Sequence, residues 1–126
     1  MRVLSCILLL LALAMTAAAA DVTGKWSGTL AMIGADGKPE APNSAYMIVK
    51  QSGATLTGSG GPDESEQWPI QNGKVAGNKI TAEVTSPDGV LYSLVLTMDG
   101  DHITGEATVT QGGESQKAQV EFKRVP

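Results

Sequence analysis

The sequence predicts an all-β fold, an antiparallel up-and-down meander of about eight strands that closes into a small barrel. The phrase G-x-x-[LI]-T-[GA] occurs three times, starting at Gly53, Gly77 and Gly100. A turn glycine followed by the start of a strand is typical of β-hairpins. The 15 glycines and 6 prolines interrupt the chain at short intervals, with Thr and Val abundant between them. An open meander exposes two unpaired strand edges, so closure into a barrel is favoured.

The first predicted strand is Gly24 to Ile33, because apolar and small residues alternate along it. The segment from Ala35 to Ser44 contains Asp36-Gly37 and two prolines, and it is predicted to be a long loop. Two strands joined by a glycine turn follow it, at Ala45 to Gln51 and Thr55 to Gly60.

An acidic loop is predicted at Pro62 to Gln67. The next strand, Trp68 to Val75, is interrupted at Asn72-Gly73, which indicates a bulge or a turn. Alternating inward residues and intervening turn residues predict the remaining strands, which are Ile80 to Thr85, Val90 to Met98, His102 to Thr110 and Lys117 to Arg124.

Residues 1–20 are predicted to be a secretory signal peptide rather than part of the domain. Arg2 supplies the positive start, Val3 to Ala14 is almost wholly apolar, and an Ala-x-Ala pattern ends at Ala20. The remaining residues, 21–126, are enough for one domain. Location in the periplasm or outside the cell is the corresponding expectation.

The charge and the cysteine content exclude several classes of function. The chain has 9 Lys and Arg against 13 Asp and Glu, and the loss of Arg2 makes the mature chain more acidic still. An acidic surface argues against nucleic acid or an anionic membrane as the partner. Cys6 is the only cysteine and lies in the predicted signal peptide, so no disulfide and no thiol nucleophile is expected in the mature protein.

A Gly-x-Trp on the first strand and a basic residue on the last resemble the signature of the calycins, the lipocalins and fatty-acid-binding proteins. The resemblance implies that Gly24 and Trp26 close one barrel end and that Arg124 packs across the Trp26 ring. Gly24 to Thr29, Gly53 to Gly58 and Ile70 to Ile80 also resemble exported bacterial lipocalin-like domains. That resemblance implies a fold and a compartment but no reaction.

Four residues are candidates for the wall of a small apolar ligand site: Met47, Trp68, Tyr92 and Leu94. Trp68 follows the acidic loop, which predicts a position at the barrel mouth. Aromatic side chains give such sites rigid apolar area. The favoured interpretation of Trp68 from the sequence is nevertheless a core or lid residue that fills a narrow interior.

No catalytic residue, metal ligand or cofactor is predicted. His102 is the only histidine, and neither a second zinc ligand nor a Ser-His-Asp set is visible. The acidic groups near Asp63 and Asp99 do not have the spacing of an EF-hand loop. The protein is therefore not expected to be an enzyme.

Two functions are open at this point. The first is an exported binding protein for a small apolar or amphipathic molecule. The alternative is a protein-interaction module, similar to a periplasmic protease-inhibitor barrel, that contacts another exported protein through Ala35–Ser44 or Pro62–Gln67. An open barrel interior favours the first function, and a solidly packed interior favours the second.

N-terminal sequencing tests the predicted processing. Exported protein is expected to begin at Asp21, or within a residue or two of it, because the Ala-x-Ala site ends at Ala20. An exported protein that begins at Met1 would contradict this prediction and would place Cys6 in the mature chain.

Overall fold

The structure, a computed structural model, describes residues 21–126 as a barrel of antiparallel strands, which confirms the predicted fold class. The predicted signal peptide, residues 1–20, lies outside the described residues. The strands are β1 (Gly24–Met32), β2 (Asn43–Ser52), β3 (Thr55–Asp63), β4 (Glu66–Ala76), β5 (Lys79–Thr85), β6 (Leu91–Asp99), β7 (His102–Gln111) and β8 (Glu114–Arg124).

Each strand pairs with its neighbour in the sequence, and β1 pairs with β8 to close the ring. The closing register runs from Trp26 opposite Arg124 to Met32 opposite Ala118. Closure gives every strand two hydrogen-bonded neighbours, which removes the exposed edges that an open meander would have. The residues that the structure describes include no helix long and apolar enough to cross a membrane.

The repeated phrase supplies the turns at one end of the barrel. Gly53, Gly77 and Gly100 begin the connections β2–β3, β4–β5 and β6–β7, with φ of 62°, 64° and 62°. The residue after each of them has no positive φ. A positive φ at the first central residue alone is the type II′ pattern, whose twist matches that of the flanking strands.

The later positions of the phrase build the interior beside those turns. The Leu or Ile points inward and is almost fully buried in each copy: Leu56 3% exposed, Ile80 1% and Ile103 0%. Two residues further along, the inward position is small, at Gly58, Ala82 and Gly105. Each copy therefore places one large side chain near this end and a small residue one layer above it.

Close contact between strand backbones explains two of those small residues. A Cβ atom on Gly58 would lie 2.1 Å from the Ile48 carbonyl oxygen, and Gly58 also has a φ of 131°. On Gly105 it would lie 2.2 Å from the Val95 carbonyl oxygen. No other residue fits such an approach, so these glycines permit the tight curvature of the barrel.

The structure moves several of the predicted strand boundaries and decides between the bulge and the turn that the sequence left open in β4. The strand predicted from Ala45 begins at Asn43, which shortens the preceding loop. The interruption at Asn72-Gly73 is a bulge within a continuous β4, since Asn72 has φ of 52° and the register with β5 shifts between Gln71 and Lys74. Asn72 Nδ2 donates to Glu83 Oε1 at 2.6 Å across the bulge.

The acidic loop predicted at Pro62–Gln67 is wrong. β3 continues to Asp63 and β4 begins at Glu66, so only Glu64 and Ser65 form the turn. The Asp63 carboxylate accepts hydrogen bonds from Ser65 N at 3.0 Å, Ser65 Oγ at 2.7 Å and Glu66 N at 2.9 Å. These bonds hold the pKa of Asp63 below its usual range. The side chain thus stabilises a turn that contains no glycine.

The end that carries the repeated turns is closed by Trp26. Its side chain is 0% exposed, and its indole N–H donates to the Val22 carbonyl oxygen at 2.9 Å. Arg124 Cζ lies 4.4 Å from the centroid of the Trp26 ring, within the range of a cation–π contact. Gly24 leaves room for this guanidinium, because a Cβ there would lie 3.3 Å from Arg124 Nη1 and its φ is 141°.

The Arg124 guanidinium also fixes the segment that precedes β1. It donates to the carbonyl oxygens of Asp21 at 3.0 Å and Thr23 at 2.9 Å, and to Asp101 Oδ1 in the β6–β7 turn at 3.0 Å. One side chain therefore joins the first and last strands and a turn of the closed end. Each of the three guanidinium nitrogens, Nε, Nη1 and Nη2, therefore donates one hydrogen bond.

Substitution of Trp26 by Ala is expected to lower the free energy of unfolding by about 3–5 kcal/mol, a large share of the stability of a small domain. The reason is loss of a fully buried ring and the cavity it leaves. Arg124→Ala should cost less, because the Trp26 ring stays in place. Urea denaturation would measure both changes, with Val95→Ala on the exposed outer wall as the control. An unchanged midpoint for Trp26→Ala would contradict this account of the closed end.

Candidate functional site

A cavity of about 310 Å³ occupies the opposite end of the barrel. Most of its lining residues lie in the strand halves next to the β1–β2, β3–β4, β5–β6 and β7–β8 connections, and Val120 and Phe122 lie deeper, in the second half of β8. Most of them are apolar, including Leu30 and Met32 on β1 and Val120 and Phe122 on β8. The volume is at the lower end of the range of small-molecule sites, roughly 300–1,000 Å³.

All four residues that the sequence identified for a ligand wall line this one cavity. Met47 on β2 and Leu94 on β6 are buried, with 4% and 8% of their surface exposed. Trp68 and Tyr92 are half-buried and lie near the first residues of β4 and β6, at the mouth. The structure thus brings the four together, and their part in binding a ligand stays a prediction.

Several lining residues were not singled out from the sequence, although their inward orientation was visible there. Leu30, Val109 and Phe122 each occupy alternate, inward positions on their strands. That alternation separates inward from outward residues but not a cavity wall from a packed core. What the sequence does not give is the height of each inward residue along the barrel axis. In a barrel this height depends on the stagger of every pair of neighbouring strands.

Gly60 creates part of the space. It is paired with Met47 on one side and Trp68 on the other. A position without a side chain therefore lies between two residues of the cavity wall. A Cβ on Gly60 would lie 3.6 Å from Val84 Cγ2, which is an ordinary contact. On Gly61 it would lie 1.9 Å from the Glu66 carbonyl oxygen. Gly60 therefore has room for a methyl group at the cavity, whereas Gly61 faces backbone.

The polar groups of the cavity lie at its mouth. Within residues 21–126, neither the Trp68 indole N–H nor the Tyr92 hydroxyl forms a hydrogen bond, and no fully buried side-chain nitrogen or oxygen lacks a partner. Both tips therefore keep contact with solvent. Ser44 Oγ, also at the mouth, donates to the Pro62 carbonyl oxygen at 2.9 Å. The indole N–H and the phenol hydroxyl therefore remain available to a bound molecule, and Asn43 and Tyr46 also line the cavity.

An ion pair fixes the β3–β4 turn beside this mouth. Lys25 Nζ on β1 lies 2.7 Å from Glu64 Oε2, and the pair spans β2. The hydrogen bond to Glu64 raises the pKa of Lys25. Half of each side chain is exposed, so water screens the attraction and its contribution to stability is small. Its effect is mainly on the position of the hairpin.

The described residues contain no group of three or more His, Cys, Asp or Glu side chains that could hold a metal ion. His102 is exposed at the first position of β7. Of the acidic pair around Gly100, Asp101 accepts a hydrogen bond from Arg124 at the closed end. The chemistry that this arrangement offers is the enclosure of apolar surface, with hydrogen bonding at the mouth.

Comparison of the chain with protein-family models, with curated proteins and with solved structures gives no match.

Two neighbouring glycines give a matched test of the cavity. Gly60→Ala is expected to leave the free energy of unfolding unchanged or to raise it by up to about 1 kcal/mol, because the methyl group enters open volume and alanine is less flexible when unfolded. Gly61→Ala should lower it by roughly 1–3 kcal/mol, because its Cβ meets the backbone of β4. Urea denaturation of both variants measures the contrast, and an equal loss in both would show that no open volume lies at Gly60.

Proposed function

We propose that this protein is an exported, lipocalin-like binding protein that holds a small apolar or amphipathic molecule in the open end of its barrel, without catalysing a reaction. The observation that carries the proposal is the cavity of about 310 Å³, bounded by apolar side chains and reached from one end. An apolar ligand there would gain roughly 25 cal/mol for each Å² that it removes from water.

The distribution of large side chains supports a binding site rather than a packing defect. The closed end is filled by fully buried residues, among them Trp26, Leu96 and Ile103. Toward the other end the inward positions include Gly60 and Ala45, and the aromatic rings of Trp68 and Tyr92 stand at the mouth. Interiors of natural domains seldom leave gaps larger than a water molecule, so a cavity of this size favours a function.

The geometry at the closed end supports the lipocalin-like part of the proposal. Gly24, Trp26 and Arg124 have the arrangement that the calycin resemblance implies, with the guanidinium over the indole ring. The proposal of export rests on the N-terminal sequence, with its positive start, apolar run and Ala-x-Ala site.

The alternative, a protein-interaction module, has less support. A solid barrel would suit a protein whose only active surface is external, and this barrel has an open end. The surface that such a module would use is the β3–β4 hairpin, where Asp63, Glu64 and Glu66 are exposed. The two functions differ in what occupies the open end, which makes them separable in one experiment.

Titration with an environment-sensitive apolar fluorophore tests the proposal. One fluorophore is expected to bind per protein and to change the emission of Trp68, since Trp26 is buried at the opposite end. Trp68→Ala should weaken binding about 10-fold through loss of aromatic contact. Gly60→Leu should weaken binding by occupying part of the cavity, while Val95→Ala on the outer wall should leave it unchanged.

Circular dichroism of each variant separates loss of binding from loss of folding. If the wild-type protein binds no fluorophore, the proposal fails. If charge reversal at Asp63, Glu64 and Glu66 then weakens capture of an exported partner, the interaction module is the better account.

A further inference from the structure

The chemistry of the cavity wall restricts the charge of the ligand. We propose that the cavity takes an uncharged amphiphile whose polar end accepts hydrogen bonds at the mouth, and that it excludes a carboxylate with the same apolar chain. This inference rests on the proposed function and specifies the class of ligand.

The lining contains no Asp, Glu, Lys, Arg or His side chain. Its deeper part consists of apolar residues, including Met47, Leu94, Val120 and Phe122, all of them buried. A charged group that enters such a wall loses its hydration and finds no partner, a cost of several kcal/mol per ion in proteins. The deep part of the cavity therefore accepts only the apolar end of a ligand.

The unused donors are close to the entrance. Trp68 is the third residue of β4 and Tyr92 the second residue of β6, and both strands begin at the open end. An indole N–H can only donate, and a phenol can donate or accept. A carbonyl, ether or hydroxyl oxygen on the ligand matches both groups. The ligand is thus oriented with its apolar end toward Leu94 and its oxygen between Trp68 and Tyr92.

The charges around the entrance disfavour anions independently. The connections of the open end and their flanking strand residues carry many acids: Asp36, Glu40, Asp63, Glu64, Glu66, Asp88 and Glu114. The cations near them are Lys38, Lys117 and Lys25, which are fewer than the acids, and Lys25 is paired with Glu64. A negative potential at a cleft repels anions and slows their association. A cationic ligand would be attracted, but the wall has no carboxylate to pair with it.

The test is displacement of the bound fluorophore by four compounds with one ten-carbon chain: decan-1-ol, decan-2-one, decanoate and decyltrimethylammonium. At pH 7 and below micellar concentrations, the alcohol and the ketone are expected to displace it with similar affinity. Decanoate should bind at least about 10-fold more weakly, because the acids around the entrance repel its charge and the wall holds no cation to pair with it. The ammonium compound should also bind more weakly than the alcohol.

Two conservative variants test the polar end of the proposal. Tyr92→Phe and Trp68→Phe remove one donor each and keep apolar area. Each should weaken the alcohol and the ketone by about 2- to 10-fold, which is the usual range for one hydrogen bond, and should leave an oxygen-free fluorophore unaffected. Val95→Ala again serves as the control outside the cavity.

The outcomes separate this inference from the function on which it rests. If decanoate or the ammonium compound binds as tightly as decan-1-ol, the charge selectivity is wrong and the binding function stands. If the two Phe variants bind every compound like the wild type, the hydrogen-bonded polar end is wrong. If neither the fluorophore nor any of the four compounds binds, the proposed function itself fails.

Discussion

The contact between Trp26 and Arg124 is the constraint on which the rest of the barrel depends. The indole ring fills the closed end, and the guanidinium covers it at 4.4 Å while binding Asp21, Thr23 and Asp101. The same contact joins β1 to β8, the pairing that turns a meander into a barrel. With no cysteine outside residues 1–20, no disulfide can do this, so packing and strand pairing provide the closure.

Large buried side chains fill the closed end of the barrel. Because they supply much of the core, the other end can remain open. Large inward residues are concentrated near the repeated turns, where Leu56, Ile80 and Ile103 are buried. Small residues lie further up the strands, and at Gly60 the missing side chain adds directly to the cavity. The hydrophobic core that stabilises the domain therefore also forms the floor of the cavity, through residues such as Met47, Leu94 and Phe122.

Glycine occurs within the strands for two different physical reasons. Gly58 and Gly105 allow neighbouring backbones to approach, because a Cβ at either position would overlap a carbonyl oxygen. Gly60 has no such contact and instead leaves open volume beside Val84. In the sequence the three look alike. They differ in what the adjacent strand presents, which is a property of register.

Local patterns in the sequence determined the strands, the type II′ turns and the residues that face inward. Period-two alternation and turn glycines act over a few residues, so they are legible without the fold. The β3–β4 turn was missed because the Asp63 side chain, rather than a glycine, stabilises it.

Whether an inward residue belongs to the core or to the cavity wall was decided only by the tertiary structure. Trp26 and Trp68 both lie on inward faces, yet one is fully buried at the closed end and the other stands half-buried at the mouth. The sequence placed Met47, Trp68, and the pair Tyr92 and Leu94 on three strands, and the stagger of the closed ring brings them to one cavity. The depth of a residue inside a barrel is set by all the strand pairings together, because the register of each pair of strands shifts the position of the next strand along the barrel axis.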